Sequence, residues 1–185
     1  EGKDLLATEL NELRRIRGRE IGVVFQEPMS ALNPLFTAGD QVAELLIRHQ
    51  GLSRAQALRE AEGLLARTQI SDPKRCVAAY PHELSGGQRQ RVVIAMALAC
   101  QPKLLIADEP TTALDVTIQR QIIGLLDSLQ REFGMSVLLI THDLPLVQNF
   151  ADRIAVMKDG LLVEAGITTE VFRRPAHEYT QRLID

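Results

Sequence analysis

Four places in this chain carry residue types and spacings that suit phosphate chemistry. Ser85-Gly86-Gly87-Gln88 opens a strongly helix-forming run that continues to Cys100. Ser85 is a good N-cap, and the two glycines let another molecule approach the backbone closely. A helix starting this way presents unpaired N–H donors and the positive end of its dipole, which suits a phosphate; Arg89 and Arg91 follow in the first turns. Asp108-Glu109 closes the apolar run Leu104 to Ala107. Adjacent carboxylates at the C-terminal end of a buried parallel strand suit a magnesium ligand beside a general base. Gln26 directly follows the apolar run Ile21 to Phe25, and is either a strand-ending polar cap or a reacting group. His142 lies in Thr141-His142-Asp143, after the apolar run Ser136 to Ile140. It reads as a hydrogen-bonded structural histidine or as a catalytic one.

The elements around these residues follow from periodicity and punctuation. The three apolar runs are strand candidates, and Val116 to Phe133 is a long helix with Ile118, Ile122, Leu125, Leu126 and Leu129 on its buried side, stopped by Gly134. A helix leading from one buried strand to the next is a parallel crossover, so the expected class is α/β. Neighbouring strand ends in such a sheet converge on one edge, where ligands bind. Between Gln26 and the Asp108 strand, Gly39 to Gln50 and Ser53 to Thr68 read as helices. The second opens on a Ser53-x-x-Gln56 capping box, and Asp72-Pro73 breaks its pattern. Near the end, Arg153 to Lys158 and Leu161 to Ala165 form a hairpin about Asp159-Gly160, and Thr168 to Arg173 and His177 to Ile184 are short helices.

The ordered set LSGGQ (Leu84 to Gln88), LLIADEP (Leu104 to Pro110) and TTALD (Thr111 to Asp115) resembles the ATP-binding cassette (ABC) ATPases. The resemblance implies a P-loop NTPase-like parallel sheet core, 1–37 and 101–185, with an inserted helical subdomain, 38–100, whose exposed face docks a transmembrane partner. It implies that Ser85, Gly86, Gly87 and Gln88 bind the γ-phosphate of ATP held by an opposite cassette, and that Asp108 holds Mg2+ through water. Glu109 is then the general base, and Gln26 is the Q-loop glutamine, which reaches the metal and the attacking water. His142 is the switch histidine, and Asp115, in the D-loop, couples the two sites. His49, His82 and His177 have no such context and read as structural.

Phe25 to Pro34, Ala95 to Ala99 and Pro110 to Thr117 look like the ATPase subunits of bacterial oligopeptide, dipeptide and nickel importers, and His177-Glu178-Tyr179-Thr180 is similar to their H-x-Y-T segment. The partners implied are a second ABC ATPase subunit, permease subunits and, indirectly, a periplasmic substrate-binding protein. The place implied is the cytoplasmic side of the inner membrane. A soluble, non-transport cassette ATPase, as in a phosphonate-degrading complex, shares these motifs. A half-site partner that hydrolyses nothing is the other alternative, opposed by Glu109 and His142.

Composition agrees with a single soluble domain. The chain has 185 residues, 45% hydrophobic and 24% charged, with a net charge of −3 that argues against a nucleic-acid or anionic-membrane surface as main partner. The basic cluster Arg14 to Arg19 reads as a solvated helix or loop. Cys76 and Cys100 are too few for a disulfide framework or a metal site, and a reducing cytoplasm fits. The phosphate-cradling pattern G-x-x-x-x-G-K-[ST] does not occur; Gly2-Lys3 is followed by Asp4 and cannot serve. The P-loop and its strand are therefore expected upstream of Glu1. A sheet lacking that strand would expose several apolar side chains, at roughly 1.5–3 kcal/mol each.

Overall fold

The computed structural model describes Gly2, 4–112 and 114–184, with the side chains of Pro28 and Met29 left aside. Ala113, the first residue of the D-loop motif, and Lys3 fall outside the described residues. The chain divides into two units, 1–140 and 141–185.

The first unit opens with α1 (Leu10–Ile16), which buries none of its residues and carries part of the basic cluster. Then come β1 (Ile21–Val24), the short α2 (Pro28–Ala31), and four helices: α3 (Ala38–Gln50), α4 (Arg54–Arg67), α5 (Pro73–Ala78) and α6 (Gly86–Leu98). β2 (Leu104–Asp108), α7 (Val116–Phe133) and β3 (Ser136–Ile140) complete it. The three strands are parallel in the order β1-β2-β3. In register, Val24 pairs with Ala107 and Asp108 with Ile140. Gly22, Val24, Leu105 and Ala107 share the closed face and are buried. The approach of α6 to β1 is so close that a Cβ on Gly22 would stand 2.4 Å from the Ala97 carbonyl oxygen. No helix among the described residues is long and apolar enough to cross a membrane.

Several helices start where a side chain satisfies one of their first N–H groups. Thr37 accepts from Asp40 N, Asp72 from Arg75 N, and Ser53 with Gln56 forms the expected capping box. Val42, Leu46, Ala57, Ala61, Leu65, Ile94 and Leu98 are all buried where α3, α4 and α6 meet. Arg91 of α6 donates to Thr68 O at 2.9 Å and reaches Gln69 and Gln121, so it ties the end of α4 to α7. Its desolvation lowers its pKa.

Two expectations need correction. Asp72-Pro73 does not merely break a helix; it starts α5, because proline is at ease in a first helical turn and Asp72 supplies the cap. Cys100 is not helical: α6 ends at Leu98, and Gln101, with φ 50° before Pro102, has left the helical region that proline disfavours for its predecessor. β3 carries apolar exposure of the kind expected for the sheet. Leu138 and Ile140 are 51% and 46% exposed, since β3 is a sheet edge and these residues lie on the open face.

The second unit contains α8 (Leu144–Val147), β4 (Arg153–Lys158), β5 (Leu161–Ile167), α9 (Thr168–Arg173) and α10 (Glu178–Ile184). The hairpin turns on Asp159 and Gly160, with φ of 50° and 79°, the two positive values that a type I′ turn needs. Glu164 of β5 accepts Ala176 N at 2.8 Å and His177 N at 3.0 Å, which anchors the entry to α10. Those bonds, that from Ala176 first, hold its carboxyl below the ordinary range.

Candidate functional site

β1 and β2 end side by side, and their register delivers Gln26 and Glu109 to one place. Gln26 Nε2 donates to Glu109 Oε2 at 3.0 Å across 83 positions of sequence. The same oxygen accepts the Thr112 hydroxyl at 2.7 Å. Glu109 has φ 43°, in the left-handed region that non-glycine residues seldom enter. Two backbone bonds hold it there: Glu109 N donates to Ile140 O at 2.8 Å, and Thr112 N donates to Glu109 O at 3.2 Å. The glutamate is thus turned out of the strand and gripped at both backbone and side chain.

The loop beyond is built into α7. Thr111 is buried and its carbonyl accepts from Gln119 Nε2 at 3.3 Å and from Leu114 N at 3.2 Å. Asp115 caps α7 by accepting Ile118 N at 3.0 Å.

Ser85 and Gln88 form a reciprocal capping box at the start of α6, with Ser85 N donating to Gln88 Oε1 at 2.9 Å and Gln88 N to Ser85 Oγ at 3.3 Å. A Cβ on Gly86 would meet only Leu114 Cδ2 at 3.6 Å, and one on Gly87 only Ile118 Cγ2 at 3.4 Å or beyond. Both are ordinary contacts, and neither glycine has positive φ, so packing within the chain does not require glycine there. This helix start faces Leu114 and Ile118, the neighbours of Asp115. Arg89 and Arg91 are used on carbonyl oxygens, Arg89 on Pro81 O at 2.7 Å. A cavity of about 480 Å³ beside this start is lined by Asp72, Arg75, Cys76, Glu83 and Gln88, away from the Gln26–Glu109 pair. Burial, with Asp72 adding to it, pushes the Cys76 thiol up to about 11, so it is unreactive.

His142 belongs to the second unit, where it is exposed between Thr141 and Asp143. Thr141 Oγ1 accepts Asp143 N, and Asp143 caps α8 through Leu146 N. The other histidines have structural contacts: His49 lies against Gly18, His82 stacks on Tyr80, and His177 Nδ1 accepts Tyr179 N.

Among the described residues no cluster of three His, Cys, Asp or Glu could hold a metal by itself. Magnesium needs none when phosphates and water complete its shell, since one or two protein oxygens then suffice. Asp108 and the Gln26 carbonyl fit that donor set, because the Gln26 amide nitrogen is engaged on Glu109. Sequence reading missed Thr112. A hydroxyl three residues past an acidic one in a Pro-containing turn was the available signal.

The family model described as ABC transporter matches residues 1–112. The chain is 56% identical over 181 residues to a putative peptide import ATP-binding protein of Brucella melitensis, covering 98% of this chain and 54% of that protein. It is 53% identical over 173 residues to the glutathione import ATP-binding protein GsiA of Salmonella typhimurium, covering 94% and 28%. The chain therefore spans about half the length, or less, of the curated relatives it matches. Among solved structures, the dimeric post-hydrolysis state of the ATP-binding cassette MJ0796 bound to ADP and Pi superposes with a TM-score of 0.76 at 36% identity, over 88% of this chain and 68% of that one. The cassette cbiO1 from Clostridium perfringens, part of the complex cbiONQ, gives 0.76 at 33% identity, over 88% and 61%.

Proposed function

The chain belongs to the ABC transporter family, and from that premise we propose that the intact protein binds and hydrolyses Mg-ATP to power import of peptides, with nickel as the other cargo of the resembling subfamily. The observation that carries the reading is the 3.0 Å hydrogen bond from Gln26 to Glu109, which joins two strand-end residues that share one catalytic task in such an ATPase. The names of the relatives, peptide import and glutathione import, support the cargo.

Glu109 accepts the proton of the water that attacks the γ-phosphorus and Gln26 orients that water; by the motif resemblance His142 is the switch histidine. Asp108 and the Gln26 carbonyl would hold magnesium, which would neutralise phosphate charge. Ser85, Gly86, Gly87 and Gln88 bind the γ-phosphate of the nucleotide held by a second cassette; bare glycines at a helix start let that phosphate approach. Asp115, next to the residues that Gly86 and Gly87 face, couples the two sites. Residues 38–100 form the helical subdomain that meets the permease, and closure of the pair moves it. The protein then lies at the cytoplasmic face of the inner membrane, held there by its permease subunits and served by a periplasmic binding protein.

The test is Glu109→Gln in the intact protein assembled with its partner subunits. Turnover should fall about 10²–10⁴-fold, the usual worth of a general base, while ATP binding persists. Hydrolysis at the unsubstituted rate would overturn the assignment.

A further inference from the structure

Thr112 grips Glu109 twice. Its backbone N–H donates to the Glu109 carbonyl and its hydroxyl to Glu109 Oε2, at 3.2 and 2.7 Å. The second partner of that oxygen, Gln26, is a long exposed side chain carried by a different strand. The two are unequal holders. Thr112 is β-branched, half-buried and confined to one rotatable bond before its oxygen, so its hydroxyl is positioned by the turn itself. Gln26 has three rotatable bonds, and its proposed role requires its other end to reach a metal. A residue with that second duty cannot alone fix the carboxylate.

From this geometry we infer that Thr112 is a positioning residue, whose hydroxyl sets the orientation of the Glu109 carboxylate and keeps it set while Gln26 also reaches toward the metal. The inference rests on the reading of Glu109 as general base. Glu109 has a left-handed backbone, so its side chain leaves the strand in a direction that ordinary strand geometry does not supply. A short donor three residues on, within the same turn, restores a defined orientation. Thr111, its neighbour, is tied to α7 through Gln119, which makes the turn a rigid base for that donor.

The experiment uses Thr112→Val, which keeps the shape and deletes the hydroxyl, and Thr112→Ser, which keeps the hydroxyl and deletes the methyl. Both are made in the intact protein with its partner subunits. Thr112→Val should lower kcat about 10- to 100-fold, the scale of a misdirected catalytic group, with KM and nucleotide affinity held within about twofold. Thr112→Ser should recover most of that loss. Without nucleotide, a crystal structure of Thr112→Val should show the Glu109 carboxylate displaced, and its melting temperature should stay near that of the parent protein. Unchanged kcat in Thr112→Val, equal loss in Thr112→Ser, or a fall in melting temperature that tracks the lost activity would overturn the inference. Glu109→Gln measured alongside separates the failures. If Glu109→Gln lowers turnover and Thr112→Val leaves kcat unchanged, only this inference fails; if Glu109→Gln turns over normally, the parent reading fails.

Discussion

Replacing Glu109 by glycine should leave the protein more stable than replacing it by alanine, the reverse of the usual order. Both substitutions remove the carboxylate and its bonds to Gln26 and Thr112, so those losses cancel in the comparison. What remains is the backbone, held at φ 43°. A residue with a Cβ costs about 1–2 kcal/mol in that region, and glycine costs nothing there. Against this, glycine gives the unfolded chain extra freedom, worth about 0.4–1 kcal/mol to alanine. The difference favours glycine by about 0.5–1 kcal/mol. At a negative φ only the second effect would survive, and alanine would win, so the sign itself is diagnostic. Nucleotide-free protein should be used, because a ligand that binds only the folded state would mask the difference. Urea unfolding gives the free-energy gap directly, and the melting temperatures should differ by about 1–4 °C for a domain of this size. Alanine equal to or more stable than glycine would refute the strained backbone, and with it the account of how the glutamate leaves its strand.

Two further outcomes follow from packing. Gly22→Ala should destabilise by about 1–3 kcal/mol or more, because its Cβ would lie 2.4 Å from the Ala97 carbonyl and force α6 off β1; chemical denaturation checks it, and ATP turnover of the intact protein should fall too, since Ser85 caps the start of α6. Cys76, with its thiol pushed up to about 11, should carry about a hundredfold less thiolate at neutral pH than an ordinary cysteine. Iodoacetamide labelling followed by mass spectrometry should therefore find Cys100, which is only half-buried, modified well before Cys76.

Much of each unit is legible because its signals are local. The Ser53–Gln56 capping box, the extent of α7 and its stop at Gly134, and the Asp159-Gly160 turn each depend on a few neighbouring residues and fixed backbone geometry. The same locality explains a misreading. Asp72-Pro73 can close one helix or open another, and which it does depends on whether the following residues, Cys76 among them, find something to pack against. An apolar run such as Ser136 to Ile140 announces a strand but not how many of its faces are covered; that depends on which strands and helices lie beside it.

The candidate site divides in the same way. Residue types and order marked Ser85 to Gln88, Asp108 and Glu109 as suited to phosphate and metal, since capping, glycine openness and paired carboxylates are properties of the residues themselves; they left Gln26 and His142 open between structural and reacting roles, and only the family resemblance singled out Asp115. That Gln26 and Glu109 touch across 83 positions was decided by the parallel pairing of β1 with β2, a long-range choice with no local signature. The left-handed turn at Glu109 draws on the sheet as well: the Ile140 carbonyl on the neighbouring strand accepts the Glu109 N–H, and no stretch of sequence contains that bond until the sheet has formed. The grip of Thr112, three residues on, is local, but it acts on a glutamate whose direction the sheet has set.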